Sequence, residues 1–367
     1  MYSPVRHVGS IFHKGRPIHL TFFLTRRCNA RCPFCFYLGK KERPAQDRPE
    51  LSLDEIEKIS RTLGSLLWLA FSGGEIYLRN DLVEISKVFY RTNKPAIMLF
   101  PTNGMLPEVI REKTEQIVMH CRKSTIAVKL SLDGLHDAHD ALRATPGSFE
   151  KTMQTYWLLA PLLGRYPNFE LGINTVFCAE NQDHMDEVID YVGRLEHIRT
   201  HTISLVRGDL AREHYTRVDF EKYRRAIERL EHNLKCGSAK TYRFRGARLK
   251  AAQDILQRRL IHRTRQERQR LIPCYAGRLN LVLSESGEVF PCEMLDASLG
   301  NIREHNYDMQ RLIGSEKSAK IIDSIRRNHC YCTHECYFMT NILFNPALYP
   351  ALLKEYLRLQ RVGQDQG

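Results

Sequence analysis

The stretch RRCNARCPFCFY, residues 26–37, places three cysteines, Cys28, Cys32 and Cys35, at offsets of four and three, with no fourth close behind. A structural zinc takes four protein ligands, usually as two pairs from separate turns, so a C-x3-C-x2-C run in one loop suits it poorly. Thiolates in close succession suit a 4Fe-4S cluster, which normally takes four cysteines. Three would leave one iron open to another ligand. The run directly follows the apolar, β-branched IHLTFFLT (18–25). That places the loop at the carboxyl end of a strand, where parallel α/β folds build their sites.

Comparable runs recur along the chain: WLAFS (68–72), AIMLFP (96–101), IAVKLSL (126–132), LGINTVF (171–177) and HTISLV (201–206). They lack clean alternation, as strands covered on both faces do. Helical patterns separate them. Ser52 with Glu55 and Asp81 with Glu84 have the spacing of a capping box, and apolar residues follow at steps of three and four. Six such alternations predict an α/β fold with a parallel sheet curled into a partial (β/α)6 TIM-like barrel. We place it at 17–235, after an N-terminal extension, 1–16. Phe220, Tyr223, Ile227, Leu230 and Leu234 mark an amphipathic helix. A basic helical linker (236–270) follows, with a second helix over 247–261. From 271 short strands and turns predict a small α+β domain to about 340, with Ser286-Gly287 as a hairpin tip. A helical tail, 341–367, ends the chain; its apolar stretch 338–359 suits docking on the barrel or resting on a membrane surface.

The formal charge of the 367 residues is +13. Between Arg207 and Arg270 there are 19 Lys and Arg against 8 Asp and Glu, so one segment carries most of the excess. Such a field favours an anionic partner, and solvated helix faces are the competing reading. No run approaches the roughly 20 apolar residues of a membrane span, and no export signal precedes the first strand. A cytoplasmic protein is expected, with its eleven cysteines reduced and available for metal or redox work. Cys121, Cys178 and Cys236 stand apart from the rest and read as small buried hydrophobes. His136 and His139, on a surface helix, read as solvated.

The cysteine loop resembles the radical S-adenosylmethionine (SAM) superfamily, whose motif C-x3-C-x-aromatic-C falls on Cys28, Cys32, Phe34 and Cys35. The resemblance extends to Gly73, Gly74 and Glu75 after the second strand, PTNG (101–104) with Asn103 after the third, and SLDGLHDAHDALR after the fourth. It implies a 4Fe-4S cluster whose open iron is chelated by SAM. An electron, from a flavodoxin or ferredoxin-type donor, then breaks the sulfonium bond and yields a 5′-deoxyadenosyl radical that abstracts hydrogen from substrate. It further implies that the glycines let backbone approach the methionine amine, that Glu75 accepts from it, and that Arg143 holds its carboxylate. Ser131 and Asp133 would touch ribose or substrate, and Asn174 the adenosine.

Cys274, Gly287 and Cys292 have the C-x9-15-G-x4-C shape of C-terminal twitch and SPASM domains, and CYCTHEC supplies Cys330, Cys332 and Cys336. Five thiols cannot fully ligate two cubanes, so the resemblance implies one auxiliary Fe-S cluster with one thiol to spare, Cys332 or Cys336. A zinc site is the alternative. Glu293, beside Cys292, is the candidate proton acceptor. The expected activity is oxidation or rearrangement of an anionic small molecule such as a sugar, nucleotide-sugar or lipid. Modification of a ribosomal peptide is the alternative, disfavoured by only 27 residues before Cys28. A non-catalytic Fe-S carrier or nucleic-acid-binding regulator competes less well, because no RNA-binding module accompanies the basic segment.

Overall fold

The computed structural model describes residues 1–37, 48–208, 210 and 212–359. A 3-10 turn, Pro4–Ile11, opens the chain, and six strand-helix units follow. They are β1 (His19–Phe23) with α1 (Leu53–Leu63), β2 (Trp68–Ser72) with α2 (Leu82–Thr92), β3 (Ile97–Thr102) with α3 (Pro107–His120), and β4 (Thr125–Ser131) with α4 (His136–Arg143), α5 (Ser148–Leu159) and α6 (Leu162–Arg165). β5 (Phe169–Phe177) leads to α7 (Met185–Arg194), and β6 (Thr200–Leu205) to α8 (Phe220–Lys235) and α9 (Ala247–Glu267). The remainder comprises β7 (Asn280–Leu283), β8 (Glu288–Phe290), β9 (Gly300–Asn301), α10 (Met309–Ile313), α11 (Glu316–Arg327), α12 (Glu335–Leu343) and α13 (Tyr349–Arg358).

One nine-stranded sheet runs in the order β6-β5-β4-β3-β2-β1-β7-β8-β9. The first six strands are parallel, which bears out the α/β fold expected of the sequence. Because side chains alternate along a strand, one set faces the helices: Leu20, Phe22, Phe71, Phe100, Val128, Leu171 and Ile203 join the main hydrophobic cluster. The opposite set is smaller and more polar. Lys129, Gly172 and Thr200 stand level across β4, β5 and β6. The small C-terminal strands do not stand apart, since β7 pairs in parallel with β1 and carries the β8 hairpin into the same sheet. Gly287, at φ +91, makes the tip expected at Ser286-Gly287.

Local signals held at α1, where Ser52 and Glu55 cap reciprocally. They misled at α2: Asp81 makes no cap bond, because its carboxylate is taken by Arg79 at 2.8 and 3.1 Å. α9 is longer than periodicity implied, and it is no solvated face. Ala251, Ala252, Ile255, Leu260 and Ile261 are buried, and the helix packs against α8, α12 and α13. Of the scattered cysteines, Cys121 and Cys178 are buried but Cys236 is exposed. The tail docks through α12 and α13 on α9; among the described residues no helix is long and apolar enough to cross a membrane.

Candidate active site

The loop after β1 is held by the loop after β2. Leu24 N donates to Ser72 O at 2.9 Å, Gly74 N to Thr25 O at 2.7 Å and Glu75 N to Arg27 O at 2.9 Å. This backbone-to-backbone zip leaves no room for side chains. At Gly73, φ +121, a Cβ would stand 2.5 Å from Thr25 O, and at Gly74 it would overlap the Arg27 carbonyl. The glycines therefore set the position of the cysteine loop itself, a task the motif alone did not reveal.

Within that loop Cys35 N donates to Cys32 O at 3.1 Å, a turn that brings the second and third thiols to the same side. Burial pushes the Cys28 and Cys32 thiols above their ordinary range, and the neighbouring thiols raise them further. Arg143 opposes this at Cys32, with Nη1 3.7 Å from Sγ. Asn103 Nδ2 stands 3.9 Å from Cys28 Sγ. Phe34 is buried, with Tyr215 5.9 Å away between ring centroids and the Arg143 guanidinium 5.7 Å over its face.

Most of the other expected residues gather around this loop. Glu75 is buried and takes three hydrogen bonds, from Thr102 Oγ1 (2.9 Å), Asn103 N (2.8 Å) and Tyr77 N (3.1 Å). Burial still outweighs those bonds and pushes its carboxyl up to about 7. Asp133 pairs with Arg143 at 2.6 Å and accepts from Val176 N at 2.7 Å. Its own N–H donates to His139 Nδ1 at 3.1 Å, so His139 is a buried brace rather than a solvated side chain; His136 is exposed. Ser131 and Asn174 stand level on β4 and β5, both partly exposed, and Asn174 Oδ1 accepts from Ser204 Oγ at 3.1 Å.

The thiol-bearing loop fits the group its pattern implies. Three thiols come from one turn, and beside them Arg143 Nε is buried with no hydrogen-bond partner among the described residues. That leaves a guanidinium N–H for an incoming carboxylate. Cys274, Cys292, Cys330 and Cys332 line a second place, a common cavity of about 40 Å³ with Tyr337 and Asn341. Cys336 is not in its lining. Among the described residues no three His, Cys, Asp or Glu side chains converge closely enough to hold a single metal ion. Four thiols lining one cavity are a donor set that would suit an Fe-S cluster or a zinc.

A feature the sequence did not signal joins the two places. Arg207, just past β6, lays its guanidinium 4.7 Å over Phe36, the neighbour of Cys35. The same group reaches Glu293 at 3.2 Å and Glu335 at 3.5 Å. Glu293 follows Cys292 and Glu335 precedes Cys336, so one guanidinium touches all three thiol-bearing segments. His334 completes the cluster, 2.7 Å from Glu293. Its Nδ1 lies 3.2 Å from Cys336 N, which leaves Nε2 facing the carboxylate. Burial alone would raise Glu293, but the charges and hydrogen bonds of His334 and Arg207 outweigh it and pull the carboxyl to about 2. A carboxylate held so low accepts a proton weakly at neutral pH.

Arg207→Met would leave buried carboxylates short of a cation, and we expect about 3 kcal/mol of lost stability. Arg207→Lys should recover only part, because a point charge cannot span both carboxylates and the ring. Urea midpoints of the two variants measure this.

The comparisons with known proteins agree with this geometry. Residues 22–192 match the radical SAM superfamily. The chain is 27% identical over 304 residues to an AdoMet-dependent heme synthase of Methanosarcina barkeri, covering 79% of this chain and 81% of that one. It is 28% identical over 304 residues to the antilisterial bacteriocin subtilosin biosynthesis protein AlbA of Bacillus subtilis, covering 80% of this chain but 59% of AlbA. The crystal structure of Streptococcus suis SuiB bound to S-adenosylmethionine shares the fold, with a TM-score of 0.58 at 17% identity, over 87% of this chain and 71% of SuiB. Residues 22–192 are thus a radical SAM domain, and what that domain brings to the chain is the chemistry of an enzyme that uses a 4Fe-4S cluster and SAM.

Proposed function

We propose that this radical SAM enzyme oxidises or rearranges an anionic, carboxylate-bearing small molecule, with a tetrapyrrole the leading class, and that an auxiliary Fe-S cluster on Cys274, Cys292, Cys330 and Cys332 takes part. The observation carrying this reading is the match along most of both chains to a heme synthase, against 59% of the length of the peptide-pathway relative AlbA. The positive excess between Arg207 and Arg270 is in keeping with an anionic substrate.

In this reading the SAM-bound cluster supplies a carbon-centred oxidant. Cys28, Cys32 and Cys35 hold the cluster, with Phe34 packed beneath the loop. Gly73, Gly74, Glu75 and Asn103 fix its approach to the methionine end of SAM, and Arg143, tied by Asp133, offers Nε to the carboxylate. Ser131 and Asn174 face the nucleoside or substrate. Glu293 stays ionised and orients Arg207 and His334 between the two thiol sites. A second reading, modification of a ribosomal peptide, draws on the 28% identity to AlbA.

The test uses anaerobically reconstituted protein with dithionite and SAM. Added iron tetrapyrrole carboxylates should stimulate 5′-deoxyadenosine formation about tenfold or more, a transition-state gain of about 1.4 kcal/mol. Stimulation by a peptide substrate alone would transfer support to the second reading, and no 5′-deoxyadenosine under any condition would refute both.

A further inference from the structure

At the open edge of the sheet, away from the cysteine loop, β6, α8, α9 and the segment before α9 enclose a cavity of about 50 Å³. Thr200, Thr202, Tyr242, Asp254 and Arg258 are among its lining. Its size admits three or four waters, or one compact group of similar bulk.

The charges around it do not balance. Arg258 is nine-tenths buried; its Nη1 has no hydrogen-bond partner among the described residues, and Nη2 reaches only His201 O at 3.4 Å. Lys129, also buried, points its ammonium at the Thr200 hydroxyl and stands 3.4 Å from the Thr202 hydroxyl, directly behind the lining. Neither cation has a carboxylate within ion-pair distance among the described residues. The nearby acids lie outside that distance. Asp254 pairs with Lys250, and Glu170 accepts from Arg243 N at 2.6 Å through Oε1 while its Oε2 has no hydrogen-bond partner among the described residues. Burying an unpaired cation is costly unless something neutralises it. Burial pushes the Lys129 ammonium down to about 7, which registers that cost.

We propose that this cavity is a binding site for a compact oxyanion, carboxylate or phosphate, held by the Arg258 guanidinium and the Lys129-polarised hydroxyls of Thr200 and Thr202. A guanidinium N–H and hydroxyls backed by an ammonium form a donor set that matches oxyanion geometry. Asp254 keeps one side acidic and limits the site to a small group directed at Arg258. The oxyanion is either free or the end group of a larger ligand.

The experiment titrates anaerobically reconstituted, full-length protein with inorganic phosphate, with acetate, and with a tetrapyrrole carboxylate, all at constant ionic strength, and reads melting temperature. We expect a saturable rise with at least one of the first two, and a rise in half-saturating concentration of about tenfold or more in Arg258→Gln and in Lys129→Met. Lys129→Met removes an unpaired buried charge, so its melting temperature without ligand should hold or rise, which separates lost binding from lost folding. A response to phosphate or acetate identifies a free anion. A response confined to the tetrapyrrole, and weakened by both variants, identifies an end group. No saturable response, or an equal response in wild type and both variants, overturns the proposal.

Discussion

Replacing Cys32 by alanine should lower 5′-deoxyadenosine formation by at least about a thousandfold, some 4 kcal/mol of barrier, while the far-ultraviolet spectrum stays that of the wild type. Cys32 is only partly buried, and the backbone zip between the β1 and β2 loops does not use its side chain. Arg143 would lose its contact with the sulfur but keep Asp133 at 2.6 Å. What disappears is one of three thiolates from a single turn, and two cannot carry a cubane that already lacks a fourth protein ligand. The assay is product chromatography after reduction, paired with iron content and the response of the cluster's electron paramagnetic resonance signal to SAM. Retention of both cleavage and the SAM-dependent signal would remove the assignment of this loop.

Cys292→Ala is expected to separate two functions that Cys32→Ala removes together. Iron should fall by one cluster's complement and substrate turnover should be lost, while uncoupled SAM cleavage stays within about tenfold of wild type, a change of no more than about 1.4 kcal/mol. The reason is spatial. Cys292 lines the cavity shared with Cys274, Cys330 and Cys332, and the Arg207 cluster lies between that cavity and the cysteine loop after β1. Cys336 is outside the lining, so Cys336→Ser should leave iron content unchanged. If Cys292→Ala and Cys32→Ala behave alike, the division of roles between the two thiol groups is wrong. If Cys336→Ser alone loses iron, Cys336 is a ligand and the four thiols of the cavity are not the full set.

Much of the architecture was legible in the residues. The six strands fall within two residues of their apolar runs, because each packs one face into the main hydrophobic cluster and so carries large apolar side chains at every second position. The cysteine loop was legible because its thiols lie within eight residues and its position after a strand follows from the order of elements. Asp81 was not, since a capping box competes with any nearby cation and Arg79 sits two residues away.

Sequence alone thus determined the local order: which segments become strands and helices, which turn presents three thiols, and which chemistry that turn can serve. Tertiary structure decided whatever depends on segments far apart in the chain. It set β7 beside β1, gathered four late thiols around one cavity, placed a single guanidinium against residues 36, 293 and 335, and left Arg258 and Lys129 buried with no acidic partner among the described residues. Propensity and spacing act over a few residues, whereas these meetings follow from how the sheet curls and where its helices pack. The charge balance of a buried site exists only after that packing is complete.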